Sequence, residues 1–205
     1  MNRVLLLPFL IACAFTSESA LAQLQHTRSP ELTVFAGYTI GGEVEAKDES
    51  ETETKIRLDE SPNIGVAVNW PSKFPTEFEL YYNHQSTNFE KGGPDMELDT
   101  LQIGGTYMGS GKKAVPFMVA TIGGMRVAPQ NNSADYLLSF TIGGGYKFYP
   151  WQRIGFRLEA RVLGSVVDSN NAWFCGVDGG GTCVLKTSGN LAWQVQANAG
   201  VVVRF

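Results

Sequence analysis

Eight stretches of this chain alternate apolar and polar residues with a period of two, the period of a β-strand whose two faces meet different surroundings. They run roughly over 31–41, 61–70, 76–86, 98–109, 114–125, 136–148, 153–164 and 191–205. In the last, Trp193, Val195, Ala197, Ala199, Val201, Val203 and Phe205 share one face, against Gln194, Gln196, Asn198 and Arg204 on the other. In 153–164, Ile154, Phe156, Leu158, Ala160 and Val162 oppose Arg153, Arg157, Glu159 and Arg161. The stretch 114–125 is apolar at both parities and assigns no face.

The connections alternate as well. Residues 71–75, 110–113 and 149–152 are short and rich in turn formers, whereas 42–60, 87–97, 126–135 and 165–190 are long. Short turns at one end and long loops at the other, over an even number of strands of about ten residues, form the layout of a transmembrane β-barrel. The fold class expected is therefore all-β: an eight-stranded antiparallel up-and-down transmembrane barrel over 23–205. The chain holds 23 glycines in 205 residues and is 11% aromatic, with only 18% charged residues. It has no run of about 18 apolar residues, which excludes a helical span. Its net charge of −4 argues against nucleic acid as a partner.

A water-soluble barrel also alternates, with its apolar face turned inward. Three features favour lipid outside. Trp70, Tyr107, Phe148 and Phe205 lie next to the turns, and Tyr38, Tyr82, Tyr136 and Trp193 next to the loops, all on the apolar parity; two aromatic belts match two membrane interfaces. The polar parity carries long side chains of both charges. The last strand ends on Phe205. A soluble periplasmic ligand-binding barrel remains the alternative.

The eight segments, the terminal strand and the leader together resemble the small eight-stranded outer-membrane barrels, the group of the OmpA transmembrane domain, OmpX and the opacity proteins. The resemblance implies residence in the bacterial outer membrane among its lipid and lipopolysaccharide. It also implies that Val201, Val203 and Phe205 form the signal read by the barrel-assembly machinery. No cofactor and no metal are implied.

Eight strands enclose a lumen that side chains can fill. Parity places Glu77, Glu79, Lys147, Arg153, Arg157, Glu159, Arg161 and Arg204 inside, with Glu77 and Glu79 meeting Arg153 and Arg157 across it. Unpaired, each charge would cost several kcal/mol, so a charge-paired plug is expected. A narrow passive channel is an alternative.

The long connections point outward to a partner. The first carries Glu43, Glu45, Asp48, Glu49, Glu51, Glu53, Asp59 and Glu60 against Lys47, Lys55 and Arg57. It reads as a solvated hairpin extension or as a surface that bridges divalent cations, without a twelve-residue Ca²⁺ loop. The fourth places Trp173 and Phe174 beside Cys175 and Cys183. These read as a disulfide in an oxidising compartment, or as free thiols. The exposed rings are candidates to anchor an extracellular ligand. A structural or adhesive, non-enzymatic role is the function expected. One enzymatic alternative exists at the outer rim. His84 and Ser86 share the apolar parity of one strand, and Glu97 and Asp99 that of the next. This is similar to the His-x-Ser arrangement of lipid A deacylases, although in a different hairpin.

Residues 1–22 read as an export signal: Arg3 supplies the basic start, Val4 to Ala14 the apolar stretch, and Ala20-Leu21-Ala22 the cleavage motif. Leu10-Ile11-Ala12-Cys13 offers a competing lipoprotein motif.

Overall fold

The computed structural model describes residues 29–41, 43–47, 53–57, 59–73, 75–88, 95–129, 134–166, 186–187 and 191–205. The leader, Trp173, Phe174, Cys175 and Cys183 lie outside the described residues.

In chain order the strands are β1 (Glu31–Ile40), β2 (Glu43–Lys47), β3 (Glu53–Arg57), β4 (Ser61–Pro71), β5 (Thr76–Asn88), β6 (Asp95–Met108), β7 (Ala114–Pro129), β8 (Asp135–Phe148), β9 (Ile154–Val166), β10 (Lys186–Thr187) and β11 (Leu191–Arg204). Eight of them close a barrel in the order β1-β11-β9-β8-β7-β6-β5-β4, and every pair is antiparallel. Closure comes from β1, which pairs with β4 on one side and β11 on the other. The remaining three form a small sheet, β10-β2-β3, beyond the long-loop end.

Within that sheet β2 and β3 pair two segments of the acidic first loop as one antiparallel hairpin. Register sets Glu43 opposite Arg57, Glu45 opposite Lys55 and Lys47 opposite Glu53.

The apolar stripe looks outward. Phe156, Leu158 and Val203 are 44%, 51% and 37% exposed, whereas the intervening Arg157 and Glu159 are 2% and 7% exposed. Water cannot be the medium around such a wall and hydrocarbon can. The aromatics at the two ends follow the same rule: Trp70, Tyr107 and Phe205 at the turns and Tyr38, Tyr82, Tyr136 and Trp193 at the loops all lie on the outer surface.

β5, β6, β7 and β9 run further toward the long-loop end than their alternation suggests, because the alternation inverts there. Lower on the wall, Leu101, Ile103, Ile122 and Leu138 face out while Thr100, Gln102, Thr121 and Ser139 face in. Higher up, Met96, Leu98, Met125, Val127 and Leu137 face in, and Glu97 and Arg126 lie on the opposite face. The inversion falls between Leu101 and Asp99 on β6 and between Gly124 and Arg126 on β7. At that level the outward positions of β6 and β7 turn polar and their inward positions apolar.

Candidate functional site

The lumen is filled in three layers. Nearest the short turns, Lys147 on β8 donates to Glu31 at 2.7 Å and to Glu77 at 2.9 Å, and Arg204 at the end of β11 donates to Glu31 at 2.8 Å. Tyr149, in the turn after β8, also donates to Glu31 at 2.8 Å. Burial, reinforced by the adjacent carboxylate, pushes its phenol well above the ordinary range. The Arg204 guanidinium lies 3.3 Å above the centre of the same ring.

One step deeper sits a second quartet. Arg157, Glu159 and Arg161 are successive inward positions of β9, so Glu159 lies between two guanidinium groups: it accepts from Arg157 Nε at 2.8 Å and Arg161 Nε at 2.9 Å. Half a circumference away, β5 supplies Glu79, which accepts from Arg157 Nη2 at 2.9 Å and Arg161 Nη2 at 2.6 Å. Asn69 and Thr106 complete its shell at 3.1 Å each. Long side chains fit here because the flanking strands give way. Gly143 and Gly145 face Arg161 and Glu159 in register, and a Cβ at Gly143 would come within 2.9 Å of Arg161 Cγ. Aromatic faces take the rest: the Arg161 guanidinium rests 3.9 Å over Tyr81 and that of Arg157 4.5 Å over Phe117. Phe117 on the inner wall also accounts for the apolar double parity of 114–125.

Each quartet holds two carboxylates and two cations and is neutral. Of the residues placed inside by parity, Arg153 is the exception: it is exposed in the turn before β9, so Glu77 meets Lys147 instead and Glu79 meets Arg157 and Arg161. Glu31, buried at the head of β1, supplies the second carboxylate of the first quartet. The parity reading left a surplus of two positive charges inside, one from including Arg153 and one from omitting Glu31.

The middle layer is polar and uncharged. Gln102 accepts from Thr121 at 2.7 Å and Thr141 at 2.8 Å and donates to Ser139 at 2.9 Å. Asn63 donates to Asn83 at 2.8 Å and Asn198 at 2.9 Å. Toward the long loops the β6–β9 side of the lumen turns apolar: Met96, Leu98, Met125, Val127, Leu137 and Leu163 form one buried cluster, packed by Ala192, while Ser61, Gln85, Thr87 and Gln194 of β4, β5 and β11 keep the opposite side polar. Nothing in the alternation announces this cap.

A second constellation lies outside, where the alternation inverts. His84 on β5 and Asp99 on β6 are register partners, and His84 Nδ1 is 2.8 Å from Asp99 Oδ1. Ser86 lies two residues along on the same face, with Oγ 3.5 Å from His84 Nε2. Asp99 also accepts from Tyr82 Oη at 2.9 Å and from Arg126 Nη1 at 2.9 Å. Glu97 faces Ser86 in register but Asp99, not Glu97, holds the imidazole. Of the four rim residues named from sequence, three join in one chain. Arg126 and Tyr82 are additions that only strand register reveals.

Val201, Val203 and Phe205, at the end of the chain, all lie on the outer surface. Among the described residues, no group of three or more His, Cys, Asp or Glu is arranged to hold a metal ion.

No family model and no curated protein matches the chain. Solved structures do. Neisserial surface protein A is 13% identical over 86% of this chain and 97% of its own, with a TM-score of 0.56. The outer membrane protein OprG from Pseudomonas aeruginosa is 10% identical over 87% of this chain and 98% of its own, with a TM-score of 0.52. At such identity the likeness speaks for architecture. The chain has the fold of the small eight-stranded outer-membrane β-barrels.

Proposed function

We propose that this protein is a non-conducting barrel of the bacterial outer membrane. In this reading it is exported by its N-terminal leader, inserted by the barrel-assembly machinery, and held among outer-membrane lipid and lipopolysaccharide. Its role is structural or adhesive: it seals its own lumen and presents its long loops to an extracellular partner. The observation that carries the reading is the pair of neutral quartets under an apolar cap. A water-filled pore needs hydrated charges along its wall, and here eight charges are paired with one another. Ion passage would require separating buried partners, at several kcal/mol each.

Planar-bilayer recordings on the refolded protein test the seal. The expected trace has no discrete conductance steps; steps of uniform size in the wild type would favour the narrow-channel reading instead. Replacing 43–57 or 167–190 by short turns tests display. The barrel should still show heat-modifiable migration, while cells carrying it lose surface attachment.

A further inference from the structure

We infer that the outer wall carries an acyl-ester hydrolase site, with Ser86 as nucleophile, His84 as general base and Asp99 as the positioning residue. The geometry assigns the roles. A carboxylate can only accept, so the His84 nitrogen facing Asp99, Nδ1, carries the proton. The neutral ring then offers Nε2 as a base to the Ser86 hydroxyl, whose oxygen is 3.5 Å away, a separation that substrate binding commonly shortens. Asp99 is itself clamped by Arg126 and Tyr82, which keeps the imidazole plane in place.

The location assigns the substrate class. The cluster is on the lipid-facing surface, not in the lumen, and at the level where outward residues change from Leu101 and Ile103 to Asp99 and Glu97. Side chains of His84, Asp99 and Arg126 are 35%, 21% and 41% exposed. A molecule that reaches them places apolar chains against the belt below and a polar head beside Arg126. That describes an acyl ester of a membrane amphiphile with an anionic headgroup, either a phospholipid or an acylated glycolipid.

The step balances with water as the second reactant. Ser86 Oγ bonds to the ester carbonyl carbon as its proton passes to His84 Nε2. The carbon–oxygen bond to the headgroup alcohol breaks, and the alcohol leaves with that proton. Water then attacks the acyl-serine, His84 takes its proton and returns it to Ser86 Oγ, and the fatty acid departs.

The full chain refolded in detergent micelles is incubated separately with phosphatidylglycerol and with lipopolysaccharide, and released fatty acid is read by mass spectrometry. Release from one substrate identifies the source of the ester. Ser86→Ala should reduce release by about 10³-fold or more. Asp99→Asn should lower kcat by about 10²-fold or more with KM little changed, while the neighbouring Glu97→Gln keeps wild-type rates. A fluorophosphonate probe should add one adduct on Ser86, lost in His84→Asn. Heat-modifiable migration verifies that each variant is folded. Release undiminished in Ser86→Ala overturns the assignment, as does a wild type that neither releases acid from either amphiphile nor takes the probe.

Discussion

The two ends of the lumen exclude water by opposite means. Near the short turns, Glu31, Glu77, Glu79 and Glu159 are matched against Lys147, Arg157, Arg161 and Arg204. Near the long loops, Met96, Leu98, Met125, Val127, Leu137 and Leu163 pack as one apolar cluster, with the buried Ser165 hydroxyl donating to Met125 Sδ at 3.5 Å. A charge layer is rigid in its requirements, because every member needs its partners and a single deletion strands a buried ion. An apolar layer degrades by the volume removed. The two ends also meet different surroundings. The charged layer sits behind a wall facing hydrocarbon, where inward parity is the only place for polar side chains. The apolar cap sits behind the part of the wall where the outward positions of β6 and β7 turn polar.

Deletion experiments on the refolded barrel separate these modes, with urea unfolding followed by tryptophan fluorescence. Glu79→Ala leaves Arg157 and Arg161 to share Glu159 alone, with one buried positive charge uncompensated, and should cost about 3–5 kcal/mol, the largest single effect. Replacing the whole quartet by apolar residues of similar volume (Glu79→Leu, Arg157→Met, Glu159→Leu, Arg161→Met) should restore most of that loss; failure to do so would break the contrast drawn between the layers. Leu163→Ala, in the cap, should cost on the order of 3 kcal/mol through the cavity it leaves, and Leu163→Met less than about 1.5 kcal/mol. Phe117→Leu removes a ring that lies under Arg157 and should cost about 1 kcal/mol. Arg204→Lys keeps the charge beside Glu31 but gives up the planar contact with Tyr149; with the group partly open to solvent, the expected loss is about 0.5 kcal/mol. A larger cost for Arg204→Lys than for Phe117→Leu would show that the outermost charges carry the layer.

Much of this was legible before any coordinate. Arg157, Glu159 and Arg161 were assigned inside by parity alone, since a strand's two faces sample their surroundings residue by residue. Glu31 was missed although it stands on the inward parity of 31–41 with Thr33 and Thr39, and Arg153 was misplaced because parity was carried one residue past the strand into a turn. The apolar cap was hidden in the same way: Met96 and Met125 continue an alternation whose meaning has reversed. At the rim, the spacing of His84 and Ser86 was visible, but the choice between Glu97 and Asp99 was not.

Period, parity and the alternation of short turns with long loops determined by themselves that the chain is an all-β barrel with one apolar and one polar face, because each of these is written in neighbouring residues. Tertiary structure alone decided which charges neutralise each other, where the outward face turns polar, and that Ser86, His84 and Asp99 converge. Those facts depend on register and closure: Glu31 and Lys147 meet across 116 residues, a distance over which local pattern carries no information and only a closed sheet brings two side chains together.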